Sequence, residues 1–362
     1  MMRRTVQRIR YPPFELEHMN PEAIPVSEIV VDVPDDALRN FSIGSEKGWF
    51  VQWRDYCDDD SSKLHLECEI THSPPNFLIK SRKGWFVDPD PLHNISRKLI
   101  MPTVLLLIFS LFVHAIEPVL VEYNIISSII AGSVIIGPLE YPRLLFYTFP
   151  LFLLPLFFRM VANFRDISRQ TSIHRSRYIE PSLSINIDRK RFEITVSEID
   201  NDLSLTKARV QVGVAIPERS TLLASLGRTE GSQPSPGMST KLPEKRISPG
   251  DEVGSGVGES TPMQSTTIKP VILEPMRMMS HGEWLTGMDL GMPYNLMLPE
   301  EEWPGSVYSS LIAIHWEILI EFVESNGRKI KWIFPVLMPQ SDFDTEIAVA
   351  PVISGRAELS NF

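Results

Sequence analysis

The chain consists of polar segments with short hydrophobic runs, interrupted once by a long apolar stretch at residues 99–164. A bilayer core about 30 Å thick is crossed by roughly 20 apolar residues of α-helix. Two blocks within the stretch meet that requirement, residues 99–121 and residues 144–164. The pattern therefore predicts a transmembrane hairpin of two helices between two segments that fold in water.

The connection between the two blocks contains a second apolar run, residues 125–137, which is too short to span a bilayer as a helix. It is predicted to lie in the membrane interface or to enter the membrane as a re-entrant piece. A third span is the alternative, and it would place the carboxy-terminal segment on the outer side of the membrane.

The charges around the hairpin favour two spans, because the connection carries only the acidic Glu122 and Glu140 before Arg143. Basic residues flank the hairpin on both sides: Lys80, Arg82, Lys83, Arg97, Lys98, Arg159, Arg165, Arg169, Arg175 and Arg177. By the positive-inside rule, both termini are predicted to be cytoplasmic. The residues predicted to lie at the membrane interface are Trp85, Phe86, Arg97, Lys98, Arg159 and Arg165.

Two ionisable residues, His114 and Glu117, lie three positions apart in the first predicted span. Such residues are costly inside a membrane and are therefore candidates for function. Their position near the outer end of the span also allows a structural or interfacial role.

The amino-terminal segment divides into two parts. Residues 1–25 are predicted to be a basic, disordered arm, because prolines interrupt any helix. Residues 26–98 are predicted to be a small β-rich segment, in which residues 63–70 alternate as a half-buried strand. The pentapeptide Lys-Gly-Trp-Phe-Val occurs at residues 47–51 and 83–87, as an internal repeat or as two strands of one small sheet.

The carboxy-terminal segment, residues 178–340, shows strand alternation and no helical period. Apolar residues alternate in five runs, at 183–187, 192–196, 208–216, 312–322 and 330–336. Asn326-Gly327 separates the last two runs and is a strong hairpin signal. The predicted fold class is a membrane-anchored, mainly β protein with an antiparallel β-sandwich of immunoglobulin-like or arrestin-like type.

Two stretches of this half lack a strand pattern. Residues 228–267 are rich in Gly, Ser, Pro and Thr and are predicted to form a disordered loop within the sandwich. Residues 341–362 are predicted to be a tail.

The stretch from Gly282 to Pro339 resembles the later strands of arrestin-like domains. In those domains a Leu-Pro step, a Pro-containing stretch, a long strand with a central Trp, a hairpin and a final strand follow in order. The matching residues here are Leu298-Pro299, Pro304, Trp316 and Asn326-Gly327. The resemblance implies an arrestin-like fold and the binding of other proteins by sheet edges and loops. No functional residue carries over.

Composition narrows the function classes. The net charge of −10 argues against a nucleic-acid binder. The two cysteines, Cys57 and Cys68, are too few for a disulfide scaffold and lack zinc spacing, so we expect them to be unpaired. The sequence offers no catalytic residues, no cofactor site and no metal site, and the protein is not expected to be an enzyme.

The sequence therefore predicts a membrane-anchored scaffold or adaptor whose partners are the lipid bilayer and other proteins. The alternative is a small channel, transporter subunit or sensor in which the hairpin forms a homo-oligomer and His114 and Glu117 carry the function. Whether strands before the hairpin pair with strands after it is open at this stage. If they do, the membrane insertion splits a single sandwich.

Overall fold

A computed structural model describes residues 2–12, 20–34, 39–57, 64–65, 70–71, 73–86, 90–126, 132–176, 178–188, 191–227 and 276–353. The helices are α1 (Asn76–Arg82), α2 (Leu92–Glu122), α3 (Arg143–Ser176) and α4 (Arg219–Ser225), besides a 3₁₀ turn at Pro21–Ala23. The strands are β1 (Met2–Arg10), β2 (Ser27–Pro34), β3 (Phe41–Gly44), β4 (Phe50–Asp55), β5 (Leu64–His65), β6 (Gly84–Phe86), β7 (Ser133–Ile136), β8 (Leu139–Pro142), β9 (Ser182–Asp188), β10 (Arg191–Glu198), β11 (Leu203–Ala215), β12 (Met278–His281), β13 (Leu285–Thr286), β14 (Pro293–Leu296), β15 (Val307–Tyr308), β16 (Ala313–Glu324), β17 (Lys329–Val336) and β18 (Thr345–Ile347).

The chain divides into two units. The β unit comprises Met1–Asp88 and Ser176–Phe362, and the helical unit comprises Pro89–Arg175. Segments from both sides of the helical unit therefore contribute to one β unit.

The described residues of the β unit form three sheets. The six-stranded sheet has the order β18-β3-β4-β1-β2-β5, and the three-stranded sheet has the order β14-β10-β9. The seven-stranded sheet follows β12-β11-β16-β17-β6, with β13 paired to β11 and β15 paired to β16. Its central strand β16 is buried from Ala313 to Phe322, on both faces.

Strands from opposite sides of the insertion pair directly. Strand β6 pairs with β17 so that Phe86 lies opposite Lys331, and β18 pairs with β3 so that Ile347 lies opposite Ile43. Pairing across the insertion, left open by the sequence, is therefore present in the structure.

The prediction of a mainly β protein with two long apolar helices is confirmed. Helices α2 and α3 include the two apolar blocks and are long and apolar enough to span a membrane. Strands β9, β10, β11, β16 and β17 coincide with the five alternating runs. Asn326-Gly327 forms the turn before β17, where Gly327 has a φ of 83° that favours glycine.

The prediction of a disordered arm is wrong for Met2–Arg10, which forms β1 between β2 and β4. The prolines do exclude a helix here, but the arginines of this segment find acidic partners on the neighbouring strand β2. Arg8 pairs with Glu28 at 2.7 Å and Arg4 with Asp32 at 3.0 Å. Val6 and Ile9 meanwhile enter the core.

The predicted tail also differs in part, because residues 345–347 form β18 and Val352 bridges to Met278. Of the predicted strand at 63–70, Leu64–His65 forms β5, and residues 63 and 66–69 lie outside the described residues. The loop predicted at 228–267 lies outside them as well. The two copies of the pentapeptide contribute to β4 and β6, in different sheets.

Candidate functional site

The segments of the β unit that lie directly before and after the helical unit, the insertion, contact each other. We call this site the junction: Arg82, Lys83, Trp85 and Phe86 before the insertion, Tyr178 and Glu180 after it, and their partners Glu317, Phe322 and Trp332. Lys83 Nζ lies 3.2 Å from Glu180 Oε2, and the rings of Trp85 and Tyr178 lie 5.8 Å apart. The two ends of the insertion therefore meet on the β unit.

Aromatic packing holds β6 at the edge of the seven-stranded sheet. The Trp85 ring lies 4.8 Å from that of Trp332 and 5.5 Å from that of Phe322, between ring centroids. Phe86 is buried against Leu319 and Ile333. The β-unit core thus accounts for the position of Phe86 without a membrane contact, while Trp85 is half-buried beside it.

A buried ion pair joins α1 to the centre of the same sheet. Arg82 is the last residue of α1, and its guanidinium donates from Nε to Glu317 Oε2 at 3.1 Å and from Nη2 to Glu317 Oε1. Both side chains are fully buried. This two-point contact fixes α1 on the sheet, since an arginine fork and a carboxylate match in geometry.

Neighbouring polar groups complete the environment of Glu317. Gln211 donates to Glu317 Oε1, and His315 Nε2 lies 3.5 Å from Glu317 Oε2. The other ring nitrogen of His315 lies 2.9 Å from the hydroxyl of Tyr308. Tyr308, His315 and Glu317 form a polar chain, yet each is at most 1 % exposed, so a substrate in solvent does not reach them.

The pKa values in this cluster follow from burial and charge. Burial alone would raise the pKa of Glu317, but the charge and hydrogen bonds of Arg82, together with the nearby His315, lower it to about 2. Burial lowers the pKa of Arg209 to about 10, although the charge of Glu317 acts in the opposite direction. Burial and the charge of Glu317 both raise the pKa of Tyr308. The carboxylate is therefore the charged centre of the cluster.

Sequence reasoning missed Arg82 and Glu317 as partners. One signal was present: Glu317 and Glu321 alternate along β16, and Lys207, Arg209 and Gln211 alternate along β11. In the structure Gln211 pairs with Glu317 and Lys207 with Glu321 across the two strands. Complementary polar residues on adjacent strands indicated the pairing, but not that α1 covers this face.

The predicted pair His114 and Glu117 does lie together. His114 Nδ1 is 3.1 Å from Glu117 Oε2, and the backbone N–H of Gly132 donates to Glu117 Oε1 at 2.6 Å. The Glu117 carboxylate thus links the end of α2 to the start of the hairpin that β7 and β8 form. This arrangement favours a structural role for the pair.

The remaining interface candidates lie on the long helices. Arg97 and Lys98 are near the start of α2, and Arg159 and Arg165 are in the second half of α3. Arg165 lies 3.7 Å from Asp90, which also pairs with Arg169 at 2.8 Å. Their contact with lipid headgroups stays a prediction.

A side-chain hydrogen bond links α2 to α3. Among the described positions of the two helices, the buried residues are Ser96, Ser110, Thr148, Pro155 and Ala162. Ser96 Oγ donates to the carbonyl of Pro155 at 2.7 Å. Small side chains let helices approach closely in lipid, where a hydroxyl also gains from a buried acceptor.

Within the described ranges, no group of three or more His, Cys, Asp or Glu residues is placed to hold a metal ion. Comparison with protein-family models, curated proteins and solved structures gave no significant match to this chain.

Proposed function

We propose that this protein is a membrane-anchored adaptor whose β unit binds other proteins beside the membrane. The observation that carries the proposal is the junction, where an apolar two-helix hairpin is inserted into one β unit and both of its ends are fastened there. An anchor built in this way keeps the β unit beside the bilayer, because the chain re-enters the β unit immediately after α3.

The same arrangement supports an even number of membrane crossings. Residues before and after the helical unit share strand pairs, which favours their lying on one side of the membrane. An even number of crossings satisfies this requirement, and a third span does not. Two crossings, with the basic flanks and both termini in the cytoplasm, form the topology we propose.

An arrestin-like sandwich is the proposed architecture of the β unit. Trp316, the central Trp of the long strand, donates from Nε1 to the carbonyl of Pro304 at 2.9 Å, which joins two of the residues on which the resemblance rests. The resemblance implies partner binding by sheet edges.

Strand β9 is the edge we propose for a partner. It is the outer strand of the three-stranded sheet among the described strands, and it follows the insertion directly. Its residues alternate between half-buried, such as Ile185, and exposed, such as Ser184 and Asn186. Natural edges are usually guarded by lysine or proline, and this one has neither. An extended peptide segment of a partner protein would add to it by backbone hydrogen bonds.

The experiment places a photo-crosslinking amino acid at Asn186 in the full-length protein, in its native membrane. We expect crosslinking to a discrete protein partner, and we expect Ser184→Lys to abolish it, because a charged side chain would block strand addition. The matched control carries the crosslinker at Ser45, an exposed residue in the turn between β3 and β4. Equal crosslinking from both positions, or no effect of Ser184→Lys, would contradict the proposal.

A further inference from the structure

The two strands that connect the membrane helices form an amphipathic hairpin. The register places Val134 opposite Tyr141 and Ile136 opposite Leu139. Residues directly opposite each other in an antiparallel pair share a face. One face of the β7–β8 hairpin is therefore apolar except for the Tyr141 hydroxyl, and it is exposed: Ile136 is 49 % exposed, Leu139 56 % and Tyr141 40 %.

The other face is more polar, and its polar side chains are engaged. It carries Ser133 and Glu140, whose side chains hydrogen-bond to each other, together with Pro142 and with Ile135, which is 73 % exposed. A hairpin with one apolar face and one mixed face suits the boundary between acyl chains and headgroups.

The apolar face continues onto the membrane helix. The ring of Tyr141 lies 6.3 Å from that of Phe146 on α3, and Phe146 lies 5.4 Å from Tyr147. Aromatic residues of this kind concentrate at the headgroup level of membrane proteins. The apolar face of the hairpin therefore adjoins the aromatic residues at the start of α3.

Backbone hydrogen bonding limits how deep the hairpin lies. Each strand of a two-stranded sheet leaves one edge of N–H and C=O groups without a strand partner, and such edges do not occur in the hydrocarbon core. At the headgroup boundary these groups reach water. The hairpin is also fixed to the helices, because Gly132 donates to Glu117 at 2.6 Å and accepts from the backbone N–H of Arg143 at 2.9 Å.

We propose that the β7–β8 hairpin is a lipid-binding element whose apolar face lies among the upper acyl chains of the outer leaflet. The inference rests on the membrane anchoring proposed above. It assigns phospholipid as the partner of this face. It also places the end of α2 and the start of α3 at the headgroup boundary of the outer leaflet.

The test measures depth in the full-length protein reconstituted in phosphatidylcholine vesicles, in a Cys57→Ser/Cys68→Ser background. A single Ile136→Cys carries an environment-sensitive fluorophore, and Leu139→Cys on the same face serves as a second position. The quenchers are iodide on both sides of the membrane, and lipids with a nitroxide near the headgroup or near the chain end. Reference labels at Phe109→Cys, on the exposed surface of α2, and at Ser45→Cys in the β unit report the helix and the aqueous phase.

We expect iodide quenching at positions 136 and 139 to be severalfold weaker than at position 45, and the shallow nitroxide to quench more strongly than the deep one. Iodide access equal to that at position 45 would overturn the inference, because the face would lie in water. Stronger quenching by the deep nitroxide would also overturn it, as would shielding from all three quenchers, which indicates a protein cover. Iodide access at position 109 would show that the anchoring itself fails, and this outcome is distinguishable from the others.

Discussion

At the scale of single residues, Glu317 and Arg82 show how a charge is tolerated in the core of the β unit. Both side chains are fully buried, and each satisfies the other through two contacts. Such a pair contributes little compared with apolar residues of similar volume, but removing one partner leaves an uncompensated buried charge. The pair therefore specifies where α1 docks.

Arg82→Ala should destabilise the protein by about 3–5 kcal/mol, since it leaves the Glu317 carboxylate buried without its cation. The double variant Arg82→Met/Glu317→Gln should recover most of this loss, because it removes both charges and keeps an acceptor for Gln211. Denaturant unfolding of the full-length protein in detergent, followed by far-UV circular dichroism, measures both. A double variant no more stable than Arg82→Ala would show that packing of Arg82, and not its charge, is what matters.

The depressed pKa of Glu317 also predicts a pH dependence. Its pKa is about 2 in the folded protein, against an ordinary value of 4.5, so the unfolded state binds the proton more readily. The contribution of the charged pair is then complete above about pH 4.5 and is lost as the pH falls from there towards 2. As the pH falls through this window, the free energy of unfolding of the wild type should decrease relative to that of Arg82→Met/Glu317→Gln. A difference that stays constant between pH 5 and pH 2.5 would show that Glu317 is not held ionised.

At the scale of elements, strands with regular apolar alternation were predictable from the sequence, as β9, β10, β11, β16 and β17 show. Strand β1 was not, because its arginines suggested solvent, while their acidic partners come from β2 and from the turn after β3. The contacts of the junction could not be predicted from the sequence either. Arg82 and Glu317 are 235 positions apart in sequence, and no local pattern reports a contact over that distance.

The central position of β1 predicts a severe effect of Val6→Pro. Val6 is fully buried and pairs with Val30 on one side and Arg54 on the other, so proline removes a backbone donor in the middle of the sheet. We expect a loss of about 3 kcal/mol or more, read as a lower unfolding midpoint. Arg4→Gln is the control on the same strand, because its exposed pair with Asp32 contributes roughly 0–1 kcal/mol. Equal effects of the two variants would argue that β1 is peripheral.

At the scale of the whole molecule, the β unit constrains the proposed membrane topology. Strand pairs β6–β17 and β18–β3 combine residues from before and after the helical unit, so the proposed anchor requires both polar segments to fold in one compartment. The length and apolar character of α2 and α3 were evident in the sequence, and so were the basic flanks. The pairing was not, because it depends on strands separated by the entire insertion.

This constraint makes the accessibility of Cys57 a decisive measurement of topology. Cys57 is exposed on the β unit, so only the membrane can protect its thiol from an impermeant maleimide. In intact cells expressing a Cys68→Ser variant, we expect no labelling of Cys57 until the membrane is permeabilised, because the basic flanks predict a cytoplasmic β unit. A matched variant with Cys57→Ser and Tyr123→Cys moves the thiol to the far end of α2, where residue 123 is 73 % exposed, and should label without permeabilisation. Labelling of Cys57 in intact cells would invert the orientation. Protection of both positions would instead indicate a hairpin that enters and leaves through the cytoplasmic side, which still satisfies the even number of crossings that the β unit requires.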